Sequence, residues 1–121
     1  MAPLRVLLID DEEELVSTLA ERLMLRGIEV EVGTSGAYAI ECVQKKKFDL
    51  VVLDMKMPGI GGLEVMRRIR REQPGVKFIL MTGRGSLEEG EEGMQEGAFA
   101  YLLKPINIED LMEKMMEAVR V

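Results

Sequence analysis

Phe48-Asp49-Leu50-Val51-Val52-Leu53-Asp54-Met55-Lys56-Met57-Pro58-Gly59 decides the fold of this 121-residue chain. Leu50 to Leu53 are aliphatic with no polar alternation, the pattern of a strand buried on both faces of a parallel sheet. Such a strand has no place for a carboxylate in its interior. Asp54 therefore falls at its carboxyl end, where open α/β sheets put their ligand crevice, and the Pro-Gly pair turns the chain away. Asp54 is the first candidate for chemistry, and the rest of the chain is tested by asking what else arrives at that edge.

Arg5-Val6-Leu7-Leu8-Ile9 is a second aliphatic strand, and it ends on Asp10-Asp11. From Glu12 to Arg26 the residues Leu15, Val16, Leu19 and Leu23 fall at helical spacing, and Gly27 supplies a left-handed stop. Ile28 to Gly33 alternates apolar residues with Glu29 and Glu31, which suits a half-exposed strand near the sheet edge. Ser35 is placed to cap a helix that turns Ala39, Ile40 and Val43 inward and ends in Lys45-Lys46-Lys47, cations suited to the negative end of the helix dipole.

After the Asp54 strand a helix is predicted from about Leu63 to Glu72, with Leu63, Met66 and Ile69 on one side. Arg67, Arg68, Arg70 and Arg71 fill most of the remainder, read as a solvated face in preference to a docking site for an acidic partner. Val76 to Met81 is a fourth strand ending on Thr82. Ser86 is predicted to cap a helix to about Glu96, which carries Gly90 and Gly93 at roughly 1 kcal/mol each relative to Ala and so reads as the least stable helix. Phe99 to Leu103 is a fifth strand ending on Lys104-Pro105. Asn107 caps the last helix, with Asp110 at the capping-box position and Ile106 and Leu111 placed as a staple. Strand and helix thus alternate about five times with short connections, which predicts one α/β domain over residues 1–121, a parallel sheet covered by helices on both faces.

Composition narrows the function. Lys and Arg total 16 against 22 Asp and Glu, a formal charge of -6 that argues against direct nucleic-acid binding, whose affinity comes mainly from cations on phosphates. The absence of histidine excludes histidine-based acid–base catalysis, histidine metal ligation and a phosphohistidine role. Cys42 is the only cysteine, so no internal disulfide forms; it reads as a small helix-face residue in a cytoplasmic protein. No apolar run approaches a membrane span, and Met1-Ala2-Pro3-Leu4-Arg5 does not open a signal peptide because Asp10 and Asp11 cut its apolar run short.

The strand ends deliver Asp10, Asp11, Asp54, Thr82 and Lys104. Three converging carboxylates repel one another and take up protons unless a cation compensates them. An oxygen-only donor set is hard and suits Mg²⁺. Thr82 adds a hydroxyl and Lys104 a point charge for an anion. Carboxylate nucleophile, Mg²⁺, lysine and hydroxyl are the parts that phosphoryl transfer needs, so the chain reads as one whose aspartate accepts phosphate.

Ile9-Asp10-Asp11, Leu53-Asp54-Met55-Lys56-Met57-Pro58-Gly59, Met81-Thr82-Gly83 and Tyr101-Leu102-Leu103-Lys104-Pro105, in this order and spacing, resemble the response-regulator receiver domain of two-component signalling over essentially the whole chain. The resemblance implies a flavodoxin-like (βα)5 three-layer sandwich with strand order 2-1-3-4-5. It implies Asp54 as the phosphoacceptor, Asp11 as a direct Mg²⁺ ligand, Asp10 acting mostly through water, and the Lys56 main-chain carbonyl completing the protein's share of the metal shell. Lys104 is implied to pair with the phosphoryl oxygens, Thr82 to be the switch hydroxyl, Tyr101 the ring that swings inward behind it, and Lys104-Pro105 a cis bond. The implied partners are a sensor histidine kinase or histidine phosphotransfer protein and a downstream effector, with a homodimer on activation as an option.

Two departures from the family pattern involve three positions. Gly61 stands in a turn where members often carry Asp or Asn, and Lys56 and Arg84 are both long and basic at positions implied to gate water access to the acyl phosphate. Met112, Met115 and Met116 offer more apolar surface than the core needs, either as gap fillers or as a docking or dimer face. The alternatives are an interaction module that kept the fold without the phosphoryl chemistry and a small Mg²⁺-dependent phosphohydrolase. Against the latter, Lys56 stands where a second acid is wanted and there is no cap domain. No glycine-rich phosphate loop follows the first strand, which disfavours a nucleotide or flavin site. Enzymatic turnover beyond self-catalysed phosphorylation and dephosphorylation of Asp54 is not expected, and the end at Val121 leaves a stand-alone regulator and the front of a larger one both open.

Overall fold

The computed structural model describes residues 3–120; the readings made at Met1-Ala2 and at Val121 lie outside the described residues. Strands β1 (Arg5–Ile9), β2 (Glu29–Gly33), β3 (Leu50–Asp54), β4 (Lys77–Thr82) and β5 (Ala100–Leu103) alternate with helices α1 (Glu13–Met24), α2 (Gly36–Lys45), α3 (Gly62–Glu72), α4 (Leu87–Gln95) and α5 (Ile108–Arg120). Every strand pair is parallel and the order is β2-β1-β3-β4-β5, the flavodoxin-like arrangement.

The period of two along each central strand divides the core into two layers. Leu7 and Ile9 of β1, Val51 and Leu53 of β3 and Phe78 and Leu80 of β4 face α2, α3 and α4, where they meet Ala39, Val43, Val65, Met66 and Ile69. Val6, Leu8, Leu50, Val52, Ile79 and Met81 face the other way, against Val16, Leu19 and Leu23 of α1 and Leu111 and Met115 of α5. Strands β1 and β3 are buried at almost every position, which is why their sequences read as unbroken apolar runs. Each fully buried aliphatic side chain contributes roughly 1.5–3 kcal/mol, enough to fix the register that brings the strand ends together.

Local signals in the sequence are mostly used as expected. Ser35 accepts a hydrogen bond from the Tyr38 amide at 3.2 Å and Asn107 accepts one from the Asp110 amide at 3.1 Å. Gly27 takes a positive φ of 82° after α1. Cys42 is buried on α2. Ser86 is a correction. It stands before α4, yet its hydroxyl turns back to accept from the Gly83 amide at 3.0 Å, closing the 3-10 turn Arg84–Ser86 and leaving the α4 amides without a side-chain cap.

The arginine face of α3 is solvated as expected, with Arg67, Arg68 and Arg71 exposed, and it also makes contacts within the molecule. Arg67 donates to Glu96 at the end of α4 (Nε to Oε1, 2.8 Å), Arg68 to Glu64 at 2.9 Å, and the Arg70 guanidinium lies 5.5 Å from the centre of the Phe78 ring. The exposed pairs contribute little individually, but the Arg67–Glu96 contact links α3 to α4. Of the three methionines on α5, Met115 is core, while Met112 and Met116 are half-buried against the α1–α5 layer. No helix among the described residues is long and apolar enough to cross a membrane.

Candidate functional site

Sheet register builds the site. Ile9 pairs with Leu53, Asp54 with Met81 and Thr82 with Leu103, so the residues closing β1, β3, β4 and β5 emerge at one level along the carboxyl edge. Main-chain bonds extend the edge by one residue, from the Met55 amide to the Met81 carbonyl (3.0 Å) and from the Lys104 amide to the Thr82 carbonyl (2.8 Å). The sheet thereby gathers Asp10, Asp11, Asp54, Thr82 and Lys104 from four strands.

Asp10, Asp11 and Asp54 each present a carboxylate oxygen within 4.8 Å of the others. Asp10 is fully buried, Asp54 is 3% exposed and Asp11 faces solvent. Asp10 Oδ1 accepts from the Glu12 amide at 2.9 Å and Asp54 Oδ1 from the Lys56 amide at 3.2 Å. Burial first, and the Asp10 charge second, push the Asp54 carboxyl up to about 6, against the lowering effects of the Lys56 amide and Lys104.

Lys104 Nζ lies 2.7 Å from Asp10 Oδ2, 2.8 Å from Glu12 Oε1 and 3.5 Å from Asp54 Oδ2. The contact with Asp10 is an ion pair with a fully buried carboxylate. Burial acts to lower the Lys104 pKa, but hydrogen bonding and charge from Asp10, Glu12 and Asp54 outweigh it and hold the ammonium well above its usual range. Glu12 is a member of this cluster that sequence reasoning placed at the start of a helix. It stands directly after the acid pair with an extended backbone (φ -83°, ψ 95°), and no local signal marks it as a partner of Lys104.

Thr82 is fully buried, and its Oγ1 has no hydrogen-bond partner among the described residues. Tyr101 lies outside this cluster, 37% exposed on β5. The Lys104–Pro105 bond is cis. Lys56 and Arg84 are both exposed, Arg84 in the 3-10 turn after β4, and Lys56 Nζ reaches the Gly85 carbonyl at 3.1 Å, joining the loop after β3 to that turn. Gly61 precedes α3 in extended conformation (φ -67°, ψ 154°).

A buried acidic cluster at the carboxyl edge of a 2-1-3-4-5 sheet, closed by a lysine from the last strand, defines a class of signalling domain. The chain belongs to the response regulator receiver domain family of two-component systems, which it matches over residues 6–116. Among curated relatives it is 34% identical to response regulator MprA of Mycobacterium sp. (strain KMS), over 98% of this chain and 51% of that protein. It is 34% identical to transcriptional regulatory protein TcrA of Mycobacterium tuberculosis, over 92% of this chain and 44% of that protein. The chain thus spans about half the length of these relatives. Among solved structures, a response regulator receiver domain protein from Clostridium thermocellum superposes with a TM-score of 0.91 at 32% identity, covering 97% of this chain and 94% of that one. A response regulator from Burkholderia pseudomallei, whose structure carries a phosphorylated aspartic acid and a calcium ion, superposes at 0.86 with 27% identity, covering 97% of this chain and 69% of that one.

Proposed function

We propose that residues 1–121 form a single receiver unit whose Asp54 takes a phosphoryl group from a phosphohistidine of a sensor kinase or phosphotransfer protein. The observation that carries the reading is the Asp54 carboxylate, buried but open to the carboxyl edge, with two further carboxylates and the Lys104 ammonium around it. In the transfer an Asp54 oxygen forms the new O–P bond as the donor's N–P bond breaks, and the leaving imidazole nitrogen keeps the electron pair. Such transfer depends on positioning and on charge neutralisation more than on acid–base chemistry, which fits a site without histidine.

Each residue has a part. Lys104 supplies a fixed positive charge to the phosphoryl oxygens, 3.5 Å from Asp54 Oδ2. The unpartnered Thr82 hydroxyl is a donor free to turn toward them, and Tyr101, now outward, is the ring that follows. Asp10, Asp11, Asp54 and the Lys56 main-chain carbonyl would hold Mg²⁺, and a hard cation would offset the burial and the Asp10 charge that push Asp54 up to about 6. Bound there, Mg²⁺ supplies charge that offsets the carboxylates and the phosphoryl oxygens. The surface made by α4, β5 and α5 then presents the phosphorylated state to an effector. The relatives named as transcriptional regulators support an output of that kind beyond the receiver. The setting is cytoplasmic, and the chemistry stops at formation and loss of the Asp54 phosphate.

The test is transfer from a labelled phosphohistidine donor in Mg²⁺. Label should leave the donor and appear on the chain as a base-labile acyl phosphate, and an Asp54→Asn chain should take none. Labelling of both chains, or of neither, contradicts the reading.

The bridge from Lys56 Nζ to the Gly85 carbonyl closes one side of the site. Lys56→Ala should therefore shorten the lifetime of the acyl phosphate by about fivefold, the equivalent of one hydrogen bond of ~1 kcal/mol. Arg84→Ala, which removes the other long cation at the mouth, should act in the same direction. A hydrolysis rate unaltered in both variants contradicts a gating role.

A further inference from the structure

At Gly90 and Gly93, helix α4 lies directly on the Thr82 and Leu80 side chains of β4. A Cβ added to Gly90 would stand 2.6 Å from Thr82 Cγ2, with Thr82 Cβ at 3.7 Å and Oγ1 at 3.8 Å. One turn later a Cβ on Gly93 would stand 2.3 Å from Leu80 Cδ1. The glycines at 90 and 93 face Thr82 and Leu80, neighbours on one face of β4, because α4 runs back along the strand it follows. Both glycines are buried, and both contacts are closer than side-chain carbons approach one another.

The two contacts differ in what they can transmit. Leu80 Cδ1 is the far end of a flexible side chain, and it can yield without moving the rest of its residue. Thr82 Cγ2 cannot, because it shares Cβ with Oγ1 and a β-branched residue has one torsion on which both atoms turn. Any rotation that carries the Thr82 hydroxyl also carries the methyl that sits on Gly90. That hydroxyl is fully buried and without a partner among the described residues, so no protein group holds it in its present orientation.

We propose that Gly90 is a positioning residue for Thr82: its bare Cα is the seat of the Thr82 methyl, and through it the orientation of the Thr82 hydroxyl and the docking of α4 on β4 are one event. In the resting protein the methyl is seated and α4 lies flush. When the hydroxyl turns toward a phosphoryl group on Asp54, the methyl leaves its seat and α4 is released. This deepens the reading of Thr82 as the residue that responds to Asp54, and it rests on that reading for its function. The contact between Gly90 and Thr82 can be tested without it.

The measurement is amide hydrogen exchange across α4 in the unphosphorylated chain. Gly90→Ala puts a methyl where the Thr82 methyl sits, and should accelerate exchange of the α4 amides by about tenfold or more, the scale on which overpacking a tight contact opens a helix. Thr82→Ser keeps the hydroxyl and removes Cγ2, so Gly90→Ala with Thr82→Ser should return α4 to near the parent rate. Gly93→Ala, which meets Leu80, should gain no such relief from Thr82→Ser. A Gly90→Ala chain that folds only when Thr82→Ser is present gives the same answer. Parent-like exchange in Gly90→Ala, acceleration that Thr82→Ser does not relieve, or failure of both chains to fold overturns the proposal. A second arm adds acetyl phosphate and Mg²⁺. The adduct should accelerate α4 exchange in the parent and add little in Gly90→Ala. A parent that takes no adduct overturns the phosphoacceptor reading and with it the functional half of this proposal, while the resting-state arm still decides the contact.

Discussion

In metal-free buffer at pH 7.5, Asp54→Asn should be more stable than the parent by about 2–3 kcal/mol, and the difference should shrink to about 0.5 kcal/mol at pH 4 and vanish below about pH 3. Burial first, and the Asp10 charge second, raise the Asp54 carboxyl from 3.8 to about 6 in the folded chain. At low pH the group is protonated whether the chain is folded or not, and it costs nothing. As the pH rises past its unfolded value and through about 6, the unfolded chain releases the proton more readily than the folded one. Folding then carries the full penalty of an ionised Asp54 among its neighbours, and asparagine of the same shape does not. Urea unfolding of both chains across pH 4 to 8 with a chelator present measures the difference directly. Adding Mg²⁺ should stabilise the parent more than the variant by mass action and narrow the gap. A parent as stable as Asp54→Asn throughout that range contradicts the crowding argument.

The second large effect concerns the cation. Lys104 lies within 3.5 Å of Asp10, Glu12 and Asp54, and Asp10 is fully buried. Lys104→Met removes the ammonium and keeps the apolar stem, which leaves a buried carboxylate uncompensated. Breaking a buried pair from one side costs about 3–5 kcal/mol, so Lys104→Met should unfold at markedly lower urea than the parent in metal-free buffer. Mg²⁺ should recover part of that loss, because the carboxylates remain. The phosphoryl acceptance rate should stay low even in saturating Mg²⁺, since the positive charge beside Asp54 Oδ2 is gone. A variant that recovers acceptance fully when Mg²⁺ restores its stability shows Lys104 to be structural and not a contact of the phosphoryl group.

What was legible in the sequence follows from which signals are local. The apolar runs Val6 to Ile9 and Leu50 to Leu53 are fully buried, and the acids that end them, Asp10 and Asp54, meet at the sheet edge as their positions implied. Ser35 and Asn107 cap their helices because a cap is settled within three residues of chain. Ser86 obeyed the same rule on paper, but the 3-10 turn before α4 offered its hydroxyl a nearer donor in the Gly83 amide. Glu12 was hidden because its partner Lys104 is 92 residues away, and nothing short of the fold brings the two together.

Gly90 and Gly93 show the limit most clearly. Propensity marks both as losses to α4, and that remains true of the isolated helix. Only the packing shows the other term, that a Cβ at Gly90 would meet Thr82 Cγ2 at 2.6 Å and one at Gly93 would have to displace the tip of Leu80. The arginines of α3 form the solvated face their spacing suggests, with Arg67, Arg68 and Arg71 exposed; what spacing does not show is that Arg67 binds Glu96 and Arg70 covers the Phe78 ring.

The most direct test is intact mass after incubation with acetyl phosphate and Mg²⁺. Asp54 is buried 3.5 Å from Lys104 Nζ and within reach of Asp10 and Asp11. The parent should gain one phosphoryl group and Asp54→Asn none. Equal adducts on both chains, or no adduct on a parent shown separately to bind Mg²⁺, would contradict the assignment of Asp54 as the phosphoacceptor.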